Sequence, residues 1–391
     1  MTPAARLQAA VEILDEVIAS ARDDGPPADT IVTRYFKQRR YAGSKDRRAV
    51  RELVFRAIRR AAERPQSGRA AIVGLAQDDP ALGDLFGQSR GPALRSDEEQ
   101  PAPAGTIPSW LATEMSPLVS EAEWPALLER APLDLRVNVQ RASRDDLLEQ
   151  LDGATRTPLS PWGIRLPSDS RVDDHPAFVA GLLEVQDEGS QLIALACKPA
   201  ADERILDLCA GAGGKALALA AASAGAAILA TDSNRARLAK LPARAKRAGA
   251  TVEAMLLNPP HELEELAAWR DSADLVLVDA PCSGSGTWRR NPEGRWRLTP
   301  DRLDRVVALQ RRLLDIAAEL VGPGGRLVYA VCSLLSREGS DQIAGFLERH
   351  SSWISEESPI PGGRSDGAGR LLTPGHDRTD GFFVARLRRP C

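Results

Sequence analysis

Two cysteines stand out from the 391 residues by their surroundings. One follows an apolar run in Val278-Asp279-Ala280-Pro281-Cys282-Ser283-Gly284-Ser285-Gly286, the other in Val328-Tyr329-Ala330-Val331-Cys332-Ser333. Both runs have strand character, so if the strands are neighbours the two sulfurs face one pocket. A thiolate is a strong nucleophile, and a thiol of pKa ~8.5 is only slightly ionised near neutrality, so a site built on it should lower that value. The competing account is packing, because free cysteine is often a small core side chain. Packing suits Cys197 and Cys209; it does not explain a Pro-Cys after a strand-ending Asp together with a Cys-Ser after the next strand.

Such a pair suits attack on a pyrimidine. Carbon 5 of cytosine is too poor a nucleophile to take a methyl group from a sulfonium directly. A thiolate adding to carbon 6 turns the ring into an enamine and makes carbon 5 nucleophilic. A carboxylic acid near N3 would stabilise that adduct, and Asp279 is placed for it, while the second thiol would assist release. A stacked base hides the reacting carbon, so the target has to be unpaired or flipped out.

Further upstream, Asp207-Leu208-Cys209-Ala210-Gly211-Ala212-Gly213-Gly214-Lys215 runs from an expected strand into a glycine-rich turn, where backbone can approach a ligand at a helix N-terminus. Taken alone, the turn serves a dinucleotide, a nucleotide or plain tight packing equally well. Asp232 ends the next strand, where a carboxylate can hold two ribose hydroxyls or cap the helix near Asn234. Asn258 ends the third, either to read an adenine edge or as a turn residue before Pro259-Pro260. Lys215 orients a base or its phosphate, or is simply solvated.

These residues need a scaffold. From about 181 onward, strands are expected at Arg204–Cys209, Ala227–Asp232, Val252–Leu257, Leu275–Ala280, Arg326–Cys332 and Phe382–Leu387. Helices are expected at Gly214–Ala222, Asn234–Ala248, Pro300–Leu320 and Gly339–Arg349. Apolar strands alternating with helices specify a doubly wound, mostly parallel α/β sheet, with ligands at the carboxyl ends of its strands. Ahead of it, a strand at Asp134–Val139, a helix at Ser143–Leu151 opened by a Ser-x-x-Asp cap, and a strand at Gly163–Leu166 mark a small α/β module over 131–180. Residues 1–86 read as helical, with helices at 4–22 and 44–64 and Ser44 as an N-cap. Residues 87–130 read as a linker and connecting helix, the stretch from Gly87 to Gly105 being rich in proline and charge.

Composition excludes more than it selects. The net charge of −3 does not by itself announce a nucleic-acid binder. No Cys-x-x-Cys pair occurs and the four histidines are scattered, so neither a zinc site, nor any other metal site, nor a disulfide framework is expected. There is no secretory leader pattern and nothing approaching the roughly 18 apolar residues of a membrane span. A cytoplasmic monomer with reduced thiols and no membrane attachment is expected.

RNA contact is expected from local charge. An arginine-rich helix from Arg34 to Arg64 includes Arg39, Arg40, Arg47 and Arg48, a face that attracts phosphates without reading sequence, although a charge run is more often only a solvated face. After the first cysteine motif, Trp288, Arg289, Arg290, Arg295, Trp296 and Arg297 interleave aromatics with arginines, a pattern suited to stacking unpaired bases.

The combination resembles the Nop/Sun (RsmB-type) family of RNA cytosine-C5 methyltransferases over at least Leu135 to Arg388. It is carried by Leu135-Arg136-Val137-Asn138, by Val185 to Ser190, by Asp207 to Lys215, by the Asp279 to Gly286 and Tyr329 to Ser333 motifs in that order, and by Thr379 to Phe383. The resemblance implies a Rossmann-like class I methyltransferase domain over 181–391, preceded by the small RNA-recognition module and a NusB-like helical region. It implies S-adenosylmethionine held by Cys209, Ala210, Gly211, Ala212, Gly213, Gly214, Lys215, Asp232, Asn258, Asp279 and Pro281. It makes Cys332 the nucleophile and Cys282 the residue that aids release, with Asp279 and Lys215 assisting. RNA contacts fall to Arg136 and Asn138 besides Arg39, Arg40, Arg47, Arg48, Arg289 and Arg290, and the substrate to 16S ribosomal RNA. A transfer RNA enzyme of the same fold and a non-catalytic RNA-binding assembly factor are the alternatives. The family pattern is altered at Ala212, usually Pro; at Asn258, more often Asp; at Val331, usually Thr; and at Ser336-Arg337-Glu338-Gly339, usually Pro-Glu-Glu-Asn. None of these removes a reacting group.

Overall fold

A computed structural model describes all of residues 1–391. The chain forms two compact units. One comprises Met1–Met115, Ser120–Glu129 and Thr287–Pro300; the other comprises Ser116–Val119, Arg130–Gly286 and Asp301–Cys391.

The first unit is helical, built on α1 (Pro3–Arg22), α2 (Ala28–Gln38), α3 (Ser44–Arg60) and α4 (Gly68–Asp78). Thr2 caps α1 by accepting from the Ala5 amide, and Pro3 fits the first turn, where no amide partner is needed. Leu7, Leu14, Val17 and Ala21 of α1 bury with Ile31 of α2, Val50, Val54 and Ile58 of α3 and Ile72 of α4. The single helix expected from Arg34 to Arg64 is divided, because the chain leaves helical geometry between Gln38 and Ser44. Ser44 is the first helical residue rather than the cap; that place belongs to Gly43, which has no side chain to accept with. Residues 87–105 are irregular but anchored: Ala102 is buried, donates to Ala70 O at 2.9 Å and accepts from Arg60 Nη1 at 2.6 Å.

The second unit holds two sheets. β1 (Leu133–Val137), β2 (Thr155–Arg156), β3 (Gly163–Leu166) and β4 (Leu183–Val185) form an antiparallel sheet in the order β2-β3-β1-β4. Ser143 caps the short helix Arg144–Leu148 beside it, as its Ser-x-x-Asp signal requires. After α5 (Glu188–Cys197) comes β5 (Arg204–Asp207), then α6 (Gly214–Ala222), β6 (Ala227–Asp232), α7 (Leu241–Ala248), β7 (Glu253–Leu256), β8 (Ala273–Asp279), α8 (Pro300–Leu320), β9 (Val321–Val331) and α9 (Ser340–Arg349). The chain closes with β10 (Ile354–Glu356), β11 (Arg364–Asp366), β12 (Gly369–Leu372) and β13 (Phe382–Arg388).

Strands β7-β6-β5-β8-β9 are parallel and continue through antiparallel β13, β12 and β11. The strand order reverses between β5 and β8, the expected ligand position in a doubly wound sheet. Ile205, Leu275, Leu277, Val328 and Ala330 are fully buried, which is why the central strands read as continuous apolar runs. The helix expected over Asn234–Ala248 is two pieces, Arg235–Leu238 and α7, because Pro242 lacks the amide that would continue the first. No helix is long and apolar enough to cross a membrane.

Candidate active site

β8 and β9 pair in parallel with Asp279 opposite Ala330, and the Ala280 amide donates to Ala330 O at 2.9 Å. This register carries the two strand-end cysteines to the same level. Their sulfurs lie 3.3 Å apart, both partly exposed. The hydrogen bond to Cys332, followed by burial and the charges of Cys332 and Glu338, raises the Cys282 pKa well above the usual thiol value. The lowering expected of a reactive thiol does not extend to this residue. Burial raises Cys209 and Cys197 as well, in keeping with packing roles.

Lys215, in the first turn of α6, reaches Asp279 with Nζ to Oδ2 at 2.6 Å. Burial opposes its charge, but the charge of Asp279 and its hydrogen bond raise the Lys215 pKa on balance, helped by Cys332. Lys215, Asp279 and the cysteine pair therefore form one electrostatic group rather than four separate side chains.

Beside them the glycine turn passes from β5 into α6. Gly211 and Gly213 have φ of 56° and 83°, the left-handed region glycine adopts without penalty. At Gly213 a Cβ would lie 2.2 Å from Leu241, so the turn could not sit here with a larger residue. Asp232 anchors it: Oδ2 accepts from the Gly211 amide at 2.7 Å, and Oδ1 accepts from the Asn234 amide at 2.6 Å. Asp232 thus braces the approach to the next helix but does not cap it; the cap is Asn234, whose side chain accepts from the Arg237 amide. Asn258 is exposed and donates its side-chain amide to Glu265 at 2.6 Å, behaviour that its turn role explains. Pro281 is exposed beside Cys282.

Two residues at this turn escaped the sequence reading. Asp207, the last residue of β5, is fully buried with neither carboxylate oxygen hydrogen-bonded. Burial first, then the like charge of Asp279, pushes its pKa up to about 7. A buried, unpartnered carboxylate costs several kcal/mol in general terms and marks a place built for a polar or cationic group. Its signal was present: like Asp232 and Asp279, it is an acidic residue ending an apolar strand. Arg237 places its guanidinium against Gly211, where a Cβ would be 2.5 Å from Nη2; nothing in local sequence indicates that.

Residues 194–388 match the family model described as 16S rRNA methyltransferase RsmB/F. A probable ribosomal RNA small subunit methyltransferase B of Synechocystis is 35% identical over 307 residues, 73% of this chain and 67% of the relative. The ribosomal RNA small subunit methyltransferase B of Xylella fastidiosa is 35% identical over 289 residues, 72% of this chain and 68% of the relative. The chain belongs to the RsmB/F family. Among solved structures, a methyltransferase homolog protein from Pyrococcus horikoshii is 26% identical with a TM-score of 0.61, covering 71% of this chain and 92% of that one. NSun6 from Pyrococcus horikoshii with SFG, 21% identical, shares the fold at a TM-score of 0.60, over 68% and 92% respectively.

As an RsmB/F methyltransferase the protein uses S-adenosylmethionine. The site fits it: two left-handed glycines open the turn, the orphaned Asp207 carboxylate suits an ammonium group, and Asp232 retains acceptor capacity for hydroxyls. Cys209, Ala210, Gly211, Ala212, Gly213, Gly214 and Lys215 supply the turn itself.

The residues expected to contact RNA divide sharply. Arg40, Arg47 and Arg48 are exposed on the helical unit, whereas Arg39 stacks 3.6 Å above the Tyr35 ring and pairs with Glu12. Arg136 and Asn138 are buried instead of facing a ligand. Arg136 Nη1 donates to Gln186 Oε1 at 2.7 Å and to Gly214 O at 2.9 Å, and Asn138 Nδ2 donates to Ala248 O at 2.8 Å. They bolt the small sheet to α6 and α7. Arg244 adds a parallel link, joining Ala212 O at 2.7 Å to Glu184 of β4 at 2.8 Å.

The Trp288–Arg297 patch is a correction. Trp288 and Trp296 are 1% and 2% exposed, Arg289 is also buried, and Arg290 is half-buried. Trp296 Nε1 donates to Ala61 O at 2.8 Å, and Arg295 Nη2 donates to Ile58 O and Arg59 O. These carbonyls end α3, where the last turn has no amides of its own to receive. Trp296 is core of the helical unit and Trp288 is as deeply buried, so neither offers a platform for stacking bases.

Proposed function

We propose that this enzyme methylates carbon 5 of a cytosine in small-subunit ribosomal RNA through a transient bond between Cys332 and carbon 6. The observation that carries the proposal is the 3.3 Å approach of two thiols from adjacent parallel strand ends, beside a lysine–aspartate pair and the glycine turn. The family descriptions of relatives supply the ribosomal substrate.

Cys332 as thiolate adds to carbon 6, and the electron pair of the 5,6 double bond becomes available at carbon 5. Bound in the glycine turn, S-adenosylmethionine supplies the electrophilic methyl group. The proton shared by Lys215 and Asp279 is the one at hand for N3 as negative charge develops on the ring. Loss of the carbon 5 proton to water, with the N3 proton returned to the Lys215–Asp279 pair, then expels the Cys332 sulfur as thiolate and restores the 5,6 double bond. Cys282, held as a thiol, sits at the breaking C–S bond and assists that departure.

Cys332→Ala should reduce methyl transfer by more than about 10⁴-fold, the scale expected on removing a covalent nucleophile. Cys282→Ala should instead accumulate a protein–RNA adduct stable to denaturing electrophoresis. Normal turnover by Cys332→Ala would end the proposal, and a chain that only binds RNA would lose nothing in either variant. Bisulfite mapping of ribosomal and transfer RNA from cells with and without the protein identifies the substrate.

A further inference from the structure

Behind the two thiols lies a buried carboxylate whose position no reactive motif accounts for. Glu338 is completely buried, on the turn that follows the second cysteine loop. Its Oε1 accepts from the Ser283 amide at 2.8 Å and from Gln310 Nε2 at 2.9 Å. Its Oε2 accepts from the hydroxyls of Ser283 and Ser333, the latter at 2.5 Å. Gln310 also donates to Pro281 O at 2.9 Å. The residues on either side of Cys282 and the residue after Cys332 are therefore tied to one carboxylate. Ser285 closes the ring by accepting from the Leu334 amide at 2.9 Å, and Gly286 donates to Cys332 O at 3.0 Å.

We infer that Glu338 is a positioning residue that clamps the two cysteine loops in register and holds a negative charge beside the Cys282 loop. The inference rests on the proposed division of labour between the thiols. Four donors satisfy the buried charge, so it is held in place rather than expelled. The hydrogen bond to Cys332 and burial oppose ionisation of Cys282, and the fixed charge of Glu338 adds to them.

The test separates geometry from charge. Phenylarsine oxide bridges two thiols only when they are adjacent, so it reports the pair without any methyl transfer. Glu338→Ala should weaken its capture ~10-fold and lower kcat ~10²-fold, the cost of misplacing reacting groups by about 1 Å. S-adenosylmethionine affinity serves as the fold control. Glu338→Gln keeps an oxygen for the two N–H donors and an amide that the rotatable serine hydroxyls can accept from, so it should restore arsenical capture. In a Cys332→Ala background it should move the pH profile of Cys282 alkylation about one unit lower, since the opposing charge is gone. If Glu338→Ala fails to fold, the double variant Ser283→Ala, Ser333→Ala should still weaken capture. Unchanged capture in Glu338→Ala, or in the double variant where that one does not fold, overturns the clamp; an unchanged alkylation profile in Glu338→Gln overturns the charge role. An active Cys332→Ala would instead overturn the proposed function and leave both of these readouts interpretable.

Discussion

Residues 279–286 and 287–297 follow one another in sequence, both rich in side chains that enzymes use, and they meet opposite fates. In the first stretch a parallel strand pairing fixes Asp279 and Cys282, while serines, Gln310 and Glu338 satisfy the loop around them. Reactive atoms are left over for a substrate. In the second, Arg295 Nη2 and Trp296 Nε1 are taken up by the carbonyls at the end of α3, and Arg295 Nη1 by Thr106 O. A helix C-terminus presents unmet acceptors and a partial negative charge, which makes it a strong competitor for any nearby arginine. Composition alone does not separate the two situations; the difference lies in what is left to satisfy each donor.

That contrast can be broken or sharpened experimentally. Trp296→Ala should cost ~3–5 kcal/mol of stability in urea unfolding, as expected for a buried tryptophan. Loss of RNA affinity at unchanged stability would restore a stacking role. Asp207 is a buried carboxyl of the opposite kind, with no side-chain hydrogen-bond partner. Its carboxyl is raised from 3.8 to about 7, so the folded state holds a proton that the unfolded state has released. Stability of the cofactor-free protein should therefore fall between pH 4 and 7, by on the order of a few kcal/mol, and Asp207→Asn should flatten that slope while weakening cofactor binding. A slope that survives the substitution would assign it to another group. Arg136→Met should cost ~2 kcal/mol by stranding Gln186 and Gly214 O, and leave the salt dependence of RNA binding unchanged. Arg48→Ala should do the reverse, changing stability by less than about 0.5 kcal/mol and lowering the salt slope by about one. Equal behaviour of the two arginines in RNA titrations would erase the distinction between buried bolt and exposed phosphate contact.

The central sheet was legible because β5, β8 and β9 are buried on both faces, and that environment admits few residues other than apolar ones. The cysteine motifs were legible because polar or reactive residues at the ends of such strands are conspicuous. The two-piece helix around Pro242 and the break between Gln38 and Ser44 were harder, since each interrupts a pattern that remains helical on both sides. Arg136 was misplaced for a different reason. A buried arginine looks the same in sequence as an exposed one until its acceptors, Gln186 and Gly214, are brought to it from distant parts of the chain.

Local order and residue type sufficed to specify the alternation of strands and helices, the glycine turn and the reactive thiols, because each depends on neighbours within a few positions. Which polar groups are spent inside the protein, and which remain for chemistry, was decided only by folding. Glu338, Arg237 and Arg295 acquire their roles from donors and acceptors tens to hundreds of residues away. Hydrogen bonds and charge interactions act across short distances in space, and sequence separation does not report those distances.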